Sequence, residues 1–130
     1  MGDHPAVDWD LRRGRLHVRY GPSGGPVRRE EVSTPVSVDL DRGGHVIDVD
    51  VAGLPDLIAD LLTGYAAFRA RRVRHPDIAF DVDARALWLH LGDGRCAGGI
   101  RCTGSVCLTF DGASLASVEL TLLDPTDPIR

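Results

Sequence analysis

Apolar and polar residues alternate along most of this chain, and one interior stretch breaks the alternation. Leu16, Val18 and Tyr20 share one side of an extended chain, as do Val36, Val38 and Leu40, and then Ile47, Val49 and Val51. The second half repeats the habit with Leu87, Leu89 and Leu91, then Val106, Leu108 and Phe110, then Val118, Leu120 and Leu122. A period of two marks strands with one face in a core. Turn chemistry punctuates the runs: LRRG at 11–14, GPSGGP at 21–26, RGG at 42–44, GDG at 92–94, TG at 103–104 and DGAS at 111–114. These gaps are too short for parallel crossovers, so antiparallel pairing is expected.

The break falls at LPDLIADLLTGYAAFRARRVRH, where the period changes. Leu54, Leu57, Ile58, Leu61, Leu62, Tyr65 and Phe68 follow the spacing of an amphipathic helix. Pro55 and Asp56 suit its first turn, and Arg69, Arg71 and Arg72 suit the negative end of its dipole. Pro76 stops any continuation.

The runs on either side of the helix resemble each other. WDLRRGRLHVRY and FDVDARALWLHL both open on an aromatic followed by Asp and, after a short polar gap, alternate. Trp9 aligns with Phe80, Asp10 with Asp81, Leu16 with Leu87, and Val18 with Leu89; later Asp41 aligns with Asp111 and Asp50 with Glu119. The expected fold is therefore α+β: two pseudo-repeated antiparallel β-meander units joined by one amphipathic helix. A single domain would span 1–130, with repeat one at 7–51, the helix at 54–72 and repeat two at 78–123. Each unit alone is a marginal sheet with one apolar face, and two together make a core. A sandwich, a barrel-like closure and one continuous sheet all satisfy this pattern.

The second copy resembles the short bacterial proteins grouped as domain of unknown function 2283. The likeness rests on Phe80, Asp81, Ala84, Ala86, Leu87, Trp88 and Leu89, and then on Phe110, Asp111, Val118 and Glu119. Arg85, Thr109 and Ser117 depart from that pattern. Trp9, Asp10, Leu16, His17, Val18, Asp39, Asp41 and Gly44 make the first copy a more diverged version, with Asp48 and Asp50 in place of Gly and Glu. The resemblance implies no activity. Some members of that group are thought to sit beside toxin-like partners, which implies a binding role.

Composition narrows the classes. The chain has 130 residues, 43% of them hydrophobic, and a formal net charge of -4. That balance argues against a nucleic-acid binder. No apolar run is long enough to span a membrane, and no export signal opens the chain, so a cytoplasmic location is expected. Cys96, Cys102 and Cys107 are an odd number and read as reduced thiols. Every basic residue is Arg, and Lys, Asn and Gln are absent. Such usage points to a high-GC bacterial genome and weakens Arg abundance as a recognition signal.

The candidate chemistry is sparse. A hairpin at Gly43–Gly44 would set Asp39 opposite Asp48 and Ser37 opposite Asp50, with Asp41 on the same side. Four carboxylates suit a hard cation, but the spacing of a Ca²⁺ loop is missing. The simpler reading pairs them with Arg15, Arg19, Arg28 and Arg29. His17 and His90 point away from the core and are candidate general bases. If Thr103–Gly104 is a turn, then Ile100, Cys102 and Cys107 share a face, joined by Trp88. That apolar face is either covered by the helix or is a docking surface. Cys96, beside Arg95, is the candidate reactive thiol. GPSGGP lacks the Lys-Ser/Thr of a phosphate loop, and no cofactor motif is present. RARRVRH offers a site for an anionic partner, and as a capped helix end it needs none. The expectation is a non-enzymatic protein-interaction or regulatory module, acting on an unknown protein partner or by self-association. Its binding residues would be Trp88, Ile100, Cys102, Arg69 and Arg72. The alternative is a small-molecule-binding protein or small acid/base enzyme with a pocket between the sheets.

Overall fold

The computed structural model describes residues 6–20, 27–70, 78–81, 83–111 and 114–123. Strands β1 (Ala6–Asp10), β2 (Arg15–Arg19), β3 (Val27–Leu40) and β4 (Val46–Val51) precede helix α1 (Asp56–Ala70). Strands β5 (Ile78–Asp81), β6 (Ala86–His90), β7 (Gly98–Asp111) and β8 (Ser114–Leu122) follow it. The described residues are thus mostly antiparallel sheet with one helix, as the alternation predicts.

The strands do not form two self-contained meanders. All eight belong to one continuous sheet in the order β1-β2-β8-β7-β3-β4-β6-β5. After β2 the chain crosses over, so that β2 pairs with β8, and likewise β6 pairs with β4 instead of β7. Hairpins from the two halves therefore interleave. The cause is the length of β3 and β7, which pair with each other from Val27↔Asp111 to Leu40↔Gly98. Each long strand lends one half to an outer arm. Gly104–Asp111 of β7 carries β8, β2 and β1, while Val36–Leu40 of β3 carries β4, β6 and β5.

Thr103–Gly104, expected as a turn, lies inside β7 opposite Pro35 and Thr34. Glycine serves packing there. A Cβ on Gly104 would sit 2.7 Å from Leu120 Cδ1 and 2.9 Å from Val36 Cγ2, two side chains that close over it on the inner face. Pro35 is tolerated in so central a strand because its carbonyl, and hence its missing N–H, faces Ala52, beyond the end of β4.

Alternation sorts one face inward. Leu16, Val18, Val36, Val38, Val49, Val51, Leu87, Leu89, Val106, Leu108, Val118 and Leu120 are all buried in one cluster. The sheet curls to enclose it. On edge strand β1, the Trp9 indole N–H donates to Gly44 O at 3.0 Å, reaching the β3–β4 turn from the far end of the strand order. Helix α1 lays Ile58 and Leu62 into the same cluster, with Leu54 just before its start, and contacts β5 and β8, one in each arm. Leu57 stays half exposed.

The repeated aromatic-Asp pair has a local explanation. Trp9 and Phe80 pack their rings against the core from the two edge strands. The following Asp closes the next turn: Asp10 Oδ1 accepts from Arg13 N at 3.2 Å, and Asp81 Oδ1 from Ala84 N at 3.1 Å. Both turns end on a left-handed residue, Gly14 (φ 63) and Arg85 (φ 52). No helix among the described residues is long and apolar enough to cross a membrane.

Candidate functional site

The outward face differs between the two arms. On the β3–β4–β6 arm, one cross-strand row runs Gly99, Asp39, Asp48, His90, and the next runs Arg101, Ser37, Asp50, Trp88. Asp39 directly opposite Asp48 is a like-charge pair, which destabilises a sheet. His90 relieves it. Its Nδ1 lies 2.7 Å from Asp48 Oδ1 and its Nε2 lies 3.1 Å from Asp93 Oδ1. A carboxylate on each ring nitrogen favours the doubly protonated imidazolium, and the hydrogen bonds to Asp48 and Asp93 raise the His90 pKa. The ring stacks on Trp88, with centroids 5.5 Å apart and planes at 19°. Asp50 has its pKa raised, first by burial and then by Asp39 and Asp48.

With a carboxylate at each ring nitrogen, the His90 ring is fixed in place against the Trp88 indole it stacks on. A raised folded-state pKa contributes stability that is complete below the unfolded value near 6.5 and is lost as pH rises through the folded value. The stability gap between the natural chain and His90→Gln is accordingly widest in mildly acidic buffer and narrows at alkaline pH. Melting temperatures of both proteins from acid to alkaline pH test this, and a gap independent of pH contradicts it.

On the β1–β2–β8 arm the outward rows are Asp8, His17, Glu119, Cys107, Glu31 and Asp10, Arg15, Thr121, Ser105, Ser33. A cleft of about 350 Å³ opens there, lined by Asp8, Asp10, Arg15, His17, Glu119 and Thr121 together with the strand backbones between them. Arg19 lies 3.5 Å from Asp8, and Arg13 3.7 Å from Asp10. Arg29 lies 3.5 Å from Glu119 and donates to Cys107 Sγ at 3.3 Å.

Several expected groupings do not form. Cys102 and Cys107 point to opposite faces, because β7 continues through Thr103–Gly104 with no turn to restore their phase. Ile100 is buried in the core and Cys102 packs against it, so neither joins Trp88, whose row neighbours are Asp50 and Ala79. The helix packs on the inner face and leaves the Trp88 side uncovered by it. Asp41 does not join Asp39, Asp48 and Asp50. It closes its own turn, accepting from Gly43 N and His45 N, each at 2.9 Å, and the His45 backbone bond leads the effects that lower its pKa. Arg15, Arg19, Arg28 and Arg29 do not pair with the Asp cluster, since β2 and the first half of β3 lie on the other arm. Arg19 pairs with Asp8, Arg28 with Glu30 and Arg29 with Glu119.

No group of three or more His, Cys, Asp or Glu among the described residues is placed to hold a metal ion. The inner face is filled by side chains, and the cleft lies outside the sheet instead of between its arms. Cys96 is exposed in the β6–β7 loop, bonded to Gly98 O at 3.5 Å. Arg69 falls in the last turn of α1, and Arg72 lies outside the described residues. His17 and His90 do face outward, as alternation predicts. The groups missed were Asp93, Asp8 and Glu119. Asp93 carries the weak signal of lying three residues after His90, whereas Asp8 and Glu119 meet His17 only through strand register. Comparison with family models, with curated proteins and with solved structures returned no match.

Proposed function

We propose that the chain is a non-enzymatic interaction module whose anchor is Trp88. The observation that carries this reading is the Trp88–His90 stack on the outward face, with His90 fixed by Asp48 and Asp93. An aromatic side chain held in place before binding loses little entropy on association, and Trp is the residue type most enriched at interface hot spots. Asp50 stands opposite it, and Asp48 and Asp93 hold the His90 ring it stacks on, so the partner segment carries basic side chains. A second copy of this chain is less suited, because the same acidic face would meet itself. What argues against catalysis is the employment of His90: it is committed to two carboxylates.

The acid/base alternative draws on His17, which lies in the cleft between Asp8 and Glu119. Membership of the domain of unknown function 2283 group and an origin by duplication belong to the same proposal. In support of duplication, the strand order reads the same when β1 to β4 exchange with β5 to β8. His17 faces Glu119 as Trp88 faces Asp50, the very positions that the sequence alignment pairs.

The test is capture of a partner by the tagged chain, followed by the affinity of Trp88→Ala for it. The expected loss is at least about 30-fold, the equivalent of about 2 kcal/mol, with the melting temperature unchanged. A partner held equally well by Trp88→Ala removes the assignment.

A further inference from the structure

We propose that the cleft on the β1–β2–β8 face is a binding site for a small zwitterion with its carboxylate and ammonium groups about 7 Å apart. The volume, about 350 Å³, lies at the small end of ligand pockets. Its lining is a grid of two rows. Asp10, Arg15 and Thr121 form one, and Asp8, His17 and Glu119 form the other. The rows are two residues apart along β2, which sets a separation of about 7 Å.

The second row is acidic at both ends, with Asp8 and Glu119, whereas the first places the Arg15 cation between Asp10 and Thr121. The Arg15 side chain makes no hydrogen bond or ion pair among the described residues and its neighbour Asp10 lies 3.7 Å from Arg13, so the Arg15 fork is available to a ligand carboxylate, with the Thr121 hydroxyl beside it. In the other row the His17 ring stands between two carboxylates. A ligand ammonium has three donors, matching Asp8, Glu119 and a ring nitrogen. The present partners of those carboxylates, Arg19 and Arg29, sit at 3.5 Å with exposed side chains. Such pairs are weak, and each carboxylate keeps unused lone pairs. A dianion meets Asp8 and Glu119 at one row, and a dication meets Arg15 at the other, so each is disfavoured at one row. On the other arm the bulky Trp88 indole takes the place opposite Asp50 that His17 takes opposite Glu119. The site is independent of Trp88.

The experiment is a titration of the full chain with glycylglycine, followed by backbone amide chemical shifts. Glycine serves as the short control, and succinate and putrescine as the single-sign controls. Saturable shifts confined to β1, β2 and β8 are expected with glycylglycine, at least tenfold weaker in Arg15→Gln, while the three controls do not saturate. Arg15 is exposed, and an unchanged melting temperature of the variant confirms its fold. Absence of saturable shifts with glycylglycine overturns the proposal, as does equal binding by Arg15→Gln. Tighter binding of succinate or putrescine than of glycylglycine also overturns it.

Discussion

Gly104→Val lowers the stability of the fold by about 3 kcal/mol, and Gly104→Ala lowers it by about 1–2 kcal/mol. The sign is the informative part. Within an ordinary strand, replacing glycine by alanine gains about 0.5–1 kcal/mol, because the glycine backbone has more freedom to lose. At Gly104 the added carbon meets Leu120 Cδ1 at 2.7 Å and Val36 Cγ2 at 2.9 Å. Both neighbours are buried, at 1% and 4% exposure, and neither has solvent to retreat into. Valine adds two further methyl groups to the same space. Gly98, at the start of the same strand, is the control: a Cβ there meets nothing within 4 Å, so Gly98→Ala is neutral or stabilising. Urea unfolding of the three variants measures all of this. A stabilised Gly104→Ala would mean that Val36 and Leu120 do not close over the glycine.

Phe110→Ala costs more, about 4 kcal/mol. Phe110 is 2% exposed and is the largest of the fully buried side chains. It lies where the β7–β8 register shifts between Thr109 and Phe110, so three consecutive residues, Leu108, Thr109 and Phe110, are buried. Phe110 continues the inward alternation of Val106 and Leu108 and stands opposite the buried Leu115 of β8. Removing the ring leaves a void bounded by sheet and unable to collapse. Against a usual domain stability of 5–15 kcal/mol, the loss leaves a protein close to its unfolding threshold at physiological temperature. The denaturation midpoint measures the effect, and a loss below about 1 kcal/mol would place Phe110 outside the core.

Local pattern carried the elements. The alternation of Leu16, Val18, Leu87, Leu89, Leu108 and Leu120 identified the inner face, and Ile58 and Leu62 identified the helix side that joins it. Asp39 opposite Asp48 and Ser37 opposite Asp50 match the pairing expected of a Gly43–Gly44 hairpin, although the turn pairs Leu40 with Val46 and a register shift between Asp39 and Leu40 restores it. What escaped were the features decided at long range. Thr103–Gly104 has turn composition, and only its pairing with Pro35 and Thr34 shows it to be mid-strand. That one misreading set Ile100, Cys102 and Cys107 on a shared outer face. The interleaved strand order was equally hidden, since short-range periodicity says nothing about which hairpin a strand joins. For the same reason the Asp8–His17–Glu119 row was invisible: its members meet across three strands drawn from both ends of the chain.

The two arms therefore share a framework and differ in what they present. One shows a fixed indole in an acidic setting, and the other an open polar cleft. The proposal that the first is the interaction surface is tested most directly by hydroxyl-radical footprinting of the chain with and without its captured partner. Oxidation of Trp88 is expected to fall sharply in the complex, while Cys107 and His17, on the other arm, react as before. Unchanged oxidation of Trp88 alongside protection of Cys107 or His17 would contradict the account and move the interface to the opposite arm.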